Sequence, residues 1–297
     1  MNISDNKYVL ITAARNEENY IERTIKSIVC QSVLPVRWVI VDDDSDDRTY
    51  DIIHNYADKY NFIKPLHLER TMEWSFKSKA NAINYGYTNL HGLEYDYIGI
   101  VDADVSFDNL YYQNILKKFN DNNKLGIAGG MILELNNNDF IQLNYNLNSV
   151  SGAIQLFRRQ CYEEIGGYVP SRRGGIDAIA EIMSRMYGWQ VRSFPDIKVY
   201  HHRIIGITQS NILFSRFNYG RRDYAIGNHP LFMFLKSIDR FRAKPYVIGG
   251  MLMMLGYGYS WLIGEERPAS KRVVKYLQNE QVNRMYSAIK KRFIKKR

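Results

Sequence analysis

Two carboxylates one residue apart close an apolar run in "YDYIGIVDADVSF", residues 95–107, where Asp102 and Asp104 flank a single alanine. Acids held that close repel unless a cation or a shared proton compensates, so the pair points to a bound positive species. A second acidic cluster, "VDDDSDD", places Asp42 and Asp43 directly after another apolar run, suited to accepting hydrogen bonds from a base or a ribose. Lys79 can approach a diphosphate as a point charge or stand as an ordinary solvated helix lysine. Asp177 precedes a helical pattern and is either a helix N-cap or a proton acceptor. His201 and His202 end an extended stretch, and a structural role is the stronger expectation for His202.

The elements that must position these side chains alternate. "YVLITAA" (8–14) reads as a buried strand, and an amphipathic helix with Ile21, Ile25, Ile28 and Val29 on one stripe follows it. "RWVIVDD" and "TYDIIHNYADKY" repeat that order, then "FIKPLHL" as strand, "SKANAINYGYTN" as helix and 95–105 as strand. Strands alternating with helices predict a doubly wound, mostly parallel sheet, whose ligands bind beyond the carboxyl ends of the strands. Both acid clusters fall at that rim. Beyond residue 125, "LGIAGGMILEL" reads as a strand, "NNNDFIQLNYNLN" as an Asn-rich loop, "GAIQLFRR" as a strand and "CYEEIGGY" as a glycine-capped helix end. "DAIAEIMSRMYG" reads as a helix with a glycine stop, and "WQVRSFPDIKVYHHR" as extended.

Length and 45% hydrophobic content allow one large domain or one domain with an appendage. The net charge of +9 is uneven, since residues 265–297 carry 11 basic and 3 acidic side chains. Such a tail suits an anionic membrane surface or another polyanion. The stretch 246–264 is uncharged, has basic residues on both sides and contains glycines and tyrosines. An in-plane or hairpin membrane contact is therefore expected rather than a span, with burial in the core or self-association as the alternative. Two cysteines, Cys30 and Cys161, make no metal motif and fit a reducing compartment. The first residues lack the pattern of a signal peptide, so a cytoplasmic protein at the inner face of the cell membrane is expected.

In order, these motifs resemble family 2 glycosyltransferases of the GT-A fold. "TAARNEE" is similar to the family's PxYNEE opening, "VDDDSDDRT" to VDDGSxDGT, "KSKANAINYG" to its Lys-Ala-x-Asn-x-Gly segment and "VDADV" to its D-x-D. "EEIGGY", "GGIDAIAEIMSRMYGW" and "FPDIKVYHHR" resemble the acceptor half. The resemblance implies a GT-A catalytic domain over 1–203, with a donor half to about 105 and an acceptor half over 106–203, followed by a helical, membrane-associated extension over 204–297. It implies an inverting, metal-dependent transfer from a nucleotide-sugar donor to a glycan or lipid-linked acceptor in cell-surface polysaccharide or glycoconjugate synthesis. Ala13, Arg15, Glu17, Asp42, Asp43, Lys79 and Asp102 would then meet the donor. Asp104, with Asp102 and His201, would hold Mn²⁺ or Mg²⁺, and Asp177 would be the base. Arg15 stands where the family usually has an aromatic, Asp44 where it has a turn glycine, and Ile176 where it often has glutamate.

Two other classes compete. A haloacid-dehalogenase-type phosphatase also ends an apolar strand in D-x-D, but it needs a further paired-acid strand end that 105–203 does not offer. A nucleic-acid-binding protein would suit the positive charge, yet no recognition-module pattern accompanies it and the charge sits on the tail.

Overall fold

The computed structural model describes residues 6–69, 76–136, 139–142, 146–203, 212–242 and 244–294. Its backbone separates into two compact units, Met1–Pro170 with Ile176–Ile205, and Ser171–Gly175 with Gly206–Arg297.

The first unit begins with β1 (Tyr8–Ala14), α1 (Ile21–Val29), β2 (Arg37–Asp42), α2 (Thr49–Ala57), β3 (Ile63–His67), α3 (Phe76–Thr88) and β4 (Tyr97–Val101). Residues along β1 alternate between two faces, as the pleat requires. Tyr8 and Leu10 pack with Ile21, Ile25 and Ile28 of α1, whereas Val9 and Ile11 pack with Ala80 and Ile83 of α3. A strand covered on both sides must be apolar throughout, which is why "YVLITAA" and "YIGIV" carry no charge.

The second half of this unit contains β5 (Val105–Phe107), α4 (Tyr111–Asn120), β6 (Leu125–Asn136), β7 (Asp139–Gln142), β8 (Ile154–Arg158), α5 (Arg159–Ile165), α6 (Ile176–Met186) and β9 (Gln190–His201). The strand order is β3-β2-β1-β4-β8-β6-β9-β5, with β7 paired to β6. Only the first four strands are all parallel. β8 runs antiparallel to β4, β6 antiparallel to β8, β9 parallel to β6, and β5 antiparallel to β9. The mostly parallel sheet expected from the alternating pattern is thus a mixed one, because β8 inserts antiparallel between β4 and β6 and β5 runs antiparallel along the far edge, while β7 adds an antiparallel hairpin to β6. That hairpin also corrects the reading of 136–148 as loop: residues 139–142 form an exposed strand, while 137, 138 and 143–145 lie outside the described residues.

The run 95–107 is likewise two strands rather than one. β4 ends at Val101, β5 begins at Val105, and three other strands lie between them in the sheet. Four inter-strand steps of ~4.8 Å exceed the ~15 Å that four extended residues can span, so the sheet must curl to bring its far edge back to the end of β4. Asp102 and Asp104 occupy that short bridge. The amide of Asp102 donates to the Ala153 carbonyl at 2.9 Å, and the amide of His202 to the Asp104 carbonyl at 2.9 Å.

The second unit is helical: α7 (Ile212–Ile226), α8 (Pro230–Arg240), α9 (Tyr246–Leu262) and α10 (Lys271–Ile294). Glycines of 246–264 serve packing. A Cβ on Gly256 would lie 2.0 Å from the Phe217 carbonyl oxygen and one on Gly220 2.0 Å from that of Met253, so α7 and α9 cross backbone to backbone. The opposite face of α9 is exposed, including Ile248, Leu255, Trp261 and Leu262. Within this unit Glu265 accepts from Arg221 at 2.8 Å and from Arg173 at 2.6 Å, and the buried Asp223 pairs with Lys236 at 2.8 Å. Among the described residues, no helix is long and apolar enough to cross a membrane.

Candidate active site

The carboxyl ends of β1 and β2 meet in register, Ala14 opposite Asp42, and the amide of Asp43 donates to the Ala14 carbonyl at 2.8 Å. Ala13 is half-buried in β1, and Arg15 and Glu17 follow directly on the same rim. Asn16 and Asp44 both take positive φ, +54° and +60°. Asp44 thus keeps the left-handed turn that a glycine would form, and aspartate is among the side chains that tolerate it.

Asp42 is 1% exposed, and its Oδ2 lies 2.9 Å from Nδ1 of His67, its register partner on β3. Among the described residues, nothing hydrogen-bonds its other, buried oxygen, Oδ1, or the buried Nη1 of Arg15. One acceptor and one donor on this rim are therefore left for something else to satisfy. Asp43 is also buried.

At the curl, Lys79 from α3 donates to Asp102 Oδ1 at 2.6 Å. Burial works against the lysine's charge, but Asp102 keeps its pKa above the usual ammonium value. Burial raises Asp102, and the Lys79 charge opposes that shift. Asp104 is held differently. Its Oδ2 accepts from Arg203 Nε at 2.9 Å and stands 3.3 Å from His201 Nε2. Burial alone would raise Asp104; those hydrogen bonds bring it down to about 2, so it is a carboxylate at any physiological pH. Its Oδ1 is buried and has no partner among the described residues.

His201 passes its other nitrogen, Nδ1, to Glu134 Oε2 at 2.8 Å. Burial disfavours its charge, yet the two carboxylates push it up to about 10, with Nδ1 hydrogen-bonded to Glu134 and Nε2 facing Asp104. Arg203 also grips Glu17. Burial and the nearby Asp104 raise Glu17 to about 7 despite that arginine. His202 faces elsewhere, 2.7 Å from Ser106 Oγ and 3.3 Å from Arg23. Of the histidine pair, only His201 joins the acidic cluster.

Asp177 is the second residue of α6 rather than the residue before it, so the N-cap reading fails: its carboxylate is inside the first turn. There it faces Gly152, where a Cβ would sit 2.7 Å from Asp177 Oδ2. With Ser149, Ser151, Gly152 and Ser193 it lines a cavity of about 310 Å³. The carboxylate of Asp177 accepts no hydrogen bond from any described residue. One turn further on, Glu181 fastens the loop that forms the cavity wall. It accepts from the Val150 amide at 2.6 Å and from Ser149 Oγ at 2.9 Å.

Burial raises Glu181 to about 7, against the pull of those hydrogen bonds and of Arg185. The folded state then binds the proton more tightly than the unfolded chain. Its stabilisation is complete below the ordinary glutamate value and is lost as pH rises to about 7. Glu181→Gln keeps an acceptor for Val150 and removes the titration. Relative to that variant, wild type is expected to lose on the order of 2 kcal/mol between pH 4.5 and 7.5. Parallel denaturant melts across this range check it, and matching pH dependences would refute it.

Can this site hold a divalent cation? Among the described residues, no three His, Cys, Asp or Glu side chains form a ready-made metal cluster. Small divalent ions need fewer, because one or two carboxylates plus substrate phosphates suffice. Asp104 offers a buried oxygen with no other partner, and His201 is braced by a carboxylate in the way metal-binding histidines are. The donor set fits. Glu134, Arg203, His67 and Glu181 escape motif reading, although a glutamate inside the apolar strand "MILEL" is a visible anomaly.

Comparison with known proteins bears on this arrangement. The profile of Glycosyl transferase family 2 matches residues 9–181. A "Probable glycosyltransferase YdaM" of Bacillus subtilis is 27% identical over 214 residues, covering 64% of this chain and 49% of that protein. A poly-beta-1,6-N-acetyl-D-glucosamine synthase of Staphylococcus epidermidis is 24% identical over 175 residues, covering 52% of this chain and 40% of the synthase. The chain thus spans about half, or less, of these curated relatives. Among solved structures, the mannosyltransferase PcManGT from Pyrobaculum calidifontis, in complex with GDP-Man and Mn²⁺, superposes with a TM-score of 0.55 at 17% identity. That likeness covers 96% of this chain and 86% of the mannosyltransferase, and it shows a shared fold.

Proposed function

The chain belongs to glycosyl transferase family 2, and on that premise we propose that it moves a sugar from a nucleotide-sugar donor to a hydroxyl of a glycan or lipid-linked acceptor, with inversion and with Mn²⁺ or Mg²⁺. The observation that carries this reading is the bridge 102–104. It sets a carboxylate with a buried, unpartnered oxygen on a rim shared with Asp42 and Lys79, while Asp177 stands free beside a polar cavity.

Each residue then has a task. Asp42, held through Oδ2 by His67, turns its free Oδ1 to the base, and Arg15 supplies a donor there. Asp43, Ala13 and Glu17 complete the wall around the nucleoside, with Asp102 toward the ribose. Asp104 and His201 would hold the divalent cation, which neutralises diphosphate charge when bound. The Lys79 ammonium faces the same charge. As the acceptor oxygen attacks the anomeric carbon, Asp177 takes its proton. The bond from that carbon to the phosphate oxygen breaks on the opposite side, the nucleoside diphosphate departs with the electron pair, and the configuration inverts. No covalent enzyme intermediate is required.

The name of one relative, a poly-beta-1,6-N-acetyl-D-glucosamine synthase, favours polysaccharide synthesis. We place the protein at the cytoplasmic face of an anionic membrane through its second unit. Exposed apolar side chains on α8 and α9, Leu231 and Leu235 with Ile248, Leu255, Trp261 and Leu262, lie on helices flanked by Arg242 and Lys271. Each basic residue near such a surface contributes about 1 kcal/mol. Full-length protein is expected to float with phosphatidylserine-containing liposomes, and Trp261→Ser with Leu262→Ser to reduce flotation severalfold. Equal flotation of both proteins, or of neither, would remove this membrane contact.

A further inference from the structure

Glu134 is 9% exposed on a strand that is otherwise apolar from Gly129 to Leu133, and burying a carboxylate there is costly without a specific partner. The sheet provides one. Glu134 on β6 is the register partner of His201 on β9, and His201 is the register partner of Val105 on β5, the residue next to Asp104. Three strands thereby line up a relay. Glu134 Oε2 lies 2.8 Å from His201 Nδ1, and His201 Nε2 lies 3.3 Å from Asp104 Oδ2. Beyond it the second oxygen of Asp104 is buried with no partner among the described residues.

A buried ion pair kept only for stability explains the first contact. It explains the second as well while the ring is charged, but not why Asp104 is left with a buried oxygen that no described residue satisfies. Histidines that bind metals usually hand their second N–H to a carboxylate, which fixes ring orientation and leaves the first nitrogen as a ligand. We propose that Glu134 is a positioning residue for cation binding: by accepting the Nδ1 hydrogen of His201 it presents Nε2, whose own proton is released to solvent on binding, to a divalent cation shared with Asp104. This rests on the metal-dependent donor reading above. Glu134 itself touches neither cation nor substrate, and Gln at this position would keep the size but offer an ambiguous partner to the ring.

The test is Mn²⁺ affinity, read from the electron paramagnetic resonance signal of free Mn²⁺ with UDP or GDP present, on the full chain. Wild type, Glu134→Gln, His201→Ala and the double variant form a cycle. Glu134→Gln should weaken Mn²⁺ binding about 10- to 100-fold. In the His201→Ala background the same change should matter less than about twofold, since the residue acts through the histidine. Undiminished Mn²⁺ affinity in Glu134→Gln overturns the proposal, as does an equal loss in both backgrounds, which would mark a general structural role. If Glu134→Gln fails to fold, Glu134→Asp withdraws the carboxylate while keeping its charge. It should show the same His201-dependent loss, and unchanged affinity there overturns the proposal equally. Wild type that binds no Mn²⁺ with either nucleotide would instead defeat the metal reading, and this inference with it.

Discussion

Asp177→Asn should lower turnover at least a hundredfold while the protein melts within about 3 °C of wild type. The two halves of this expectation have separate causes. A general base contributes about 10² to 10⁴ in rate, and asparagine cannot accept the proton. Folding loses little, because the Asp177 carboxylate carries no hydrogen bond to a described residue and lies inside the first turn of α6, where its charge is worth about 0.3–1 kcal/mol against the helix dipole. Asparagine also keeps the shape that fits against Gly152. Nucleotide binding should be retained, since Asp177 is assigned to the acceptor side. Steady-state kinetics with calorimetry on the same preparation check both halves. A variant whose turnover stays within a few fold of wild type would take Asp177 out of the mechanism.

Asp104→Ala should cost at least about a thousandfold in turnover and make nucleotide binding indifferent to chelator. Charge stabilisation by a bound divalent ion is worth several kcal/mol, and each 1.36 kcal/mol is about tenfold in rate. Removing the carboxylate takes away the oxygen that no described residue satisfies. It also frees Arg203 and His201, but each keeps a second carboxylate, Glu17 and Glu134, so the rim should stay assembled. Titration of UDP and GDP with Mn²⁺ and with chelator separates the effects. Should the variant still bind nucleotide more tightly with Mn²⁺ than without, Asp104 is not the ligand.

What the chain discloses before folding is what depends on local order. "YVLITAA", "RWVIVD" and "YIGIV" announce buried strands because both faces are covered, and the acids that follow each mark the rim. The curl is not local. Val105–Phe107 reads as a continuation of β4, and only pairing with β9, some ninety residues later, makes it the far edge of the sheet. Glu134 and His201 are brought together by the same long-range register, so neither residue predicts the other. Asp177 falls on the expected helix, yet whether it caps or enters the first turn depends on a boundary that shifts by one or two residues. The glycines of 246–264 were legible as a departure from a spanning helix. Their use, at the crossing of α7 and α9, depends on a partner that a single period cannot identify.

The central claim is that this rim binds a nucleotide-sugar through a divalent cation, and thermal shift of the wild-type chain against a panel of nucleotide-sugars tests it most directly. A ligand at a hundred times its dissociation constant adds about 2.7 kcal/mol to the folded state, or roughly 5–10 °C for a chain of this size. At least one UDP- or GDP-sugar should raise the melting temperature by that much with Mn²⁺ and lose the effect with chelator. A panel in which no nucleotide-sugar shifts the transition, or in which the shift persists undiminished with chelator, would contradict it.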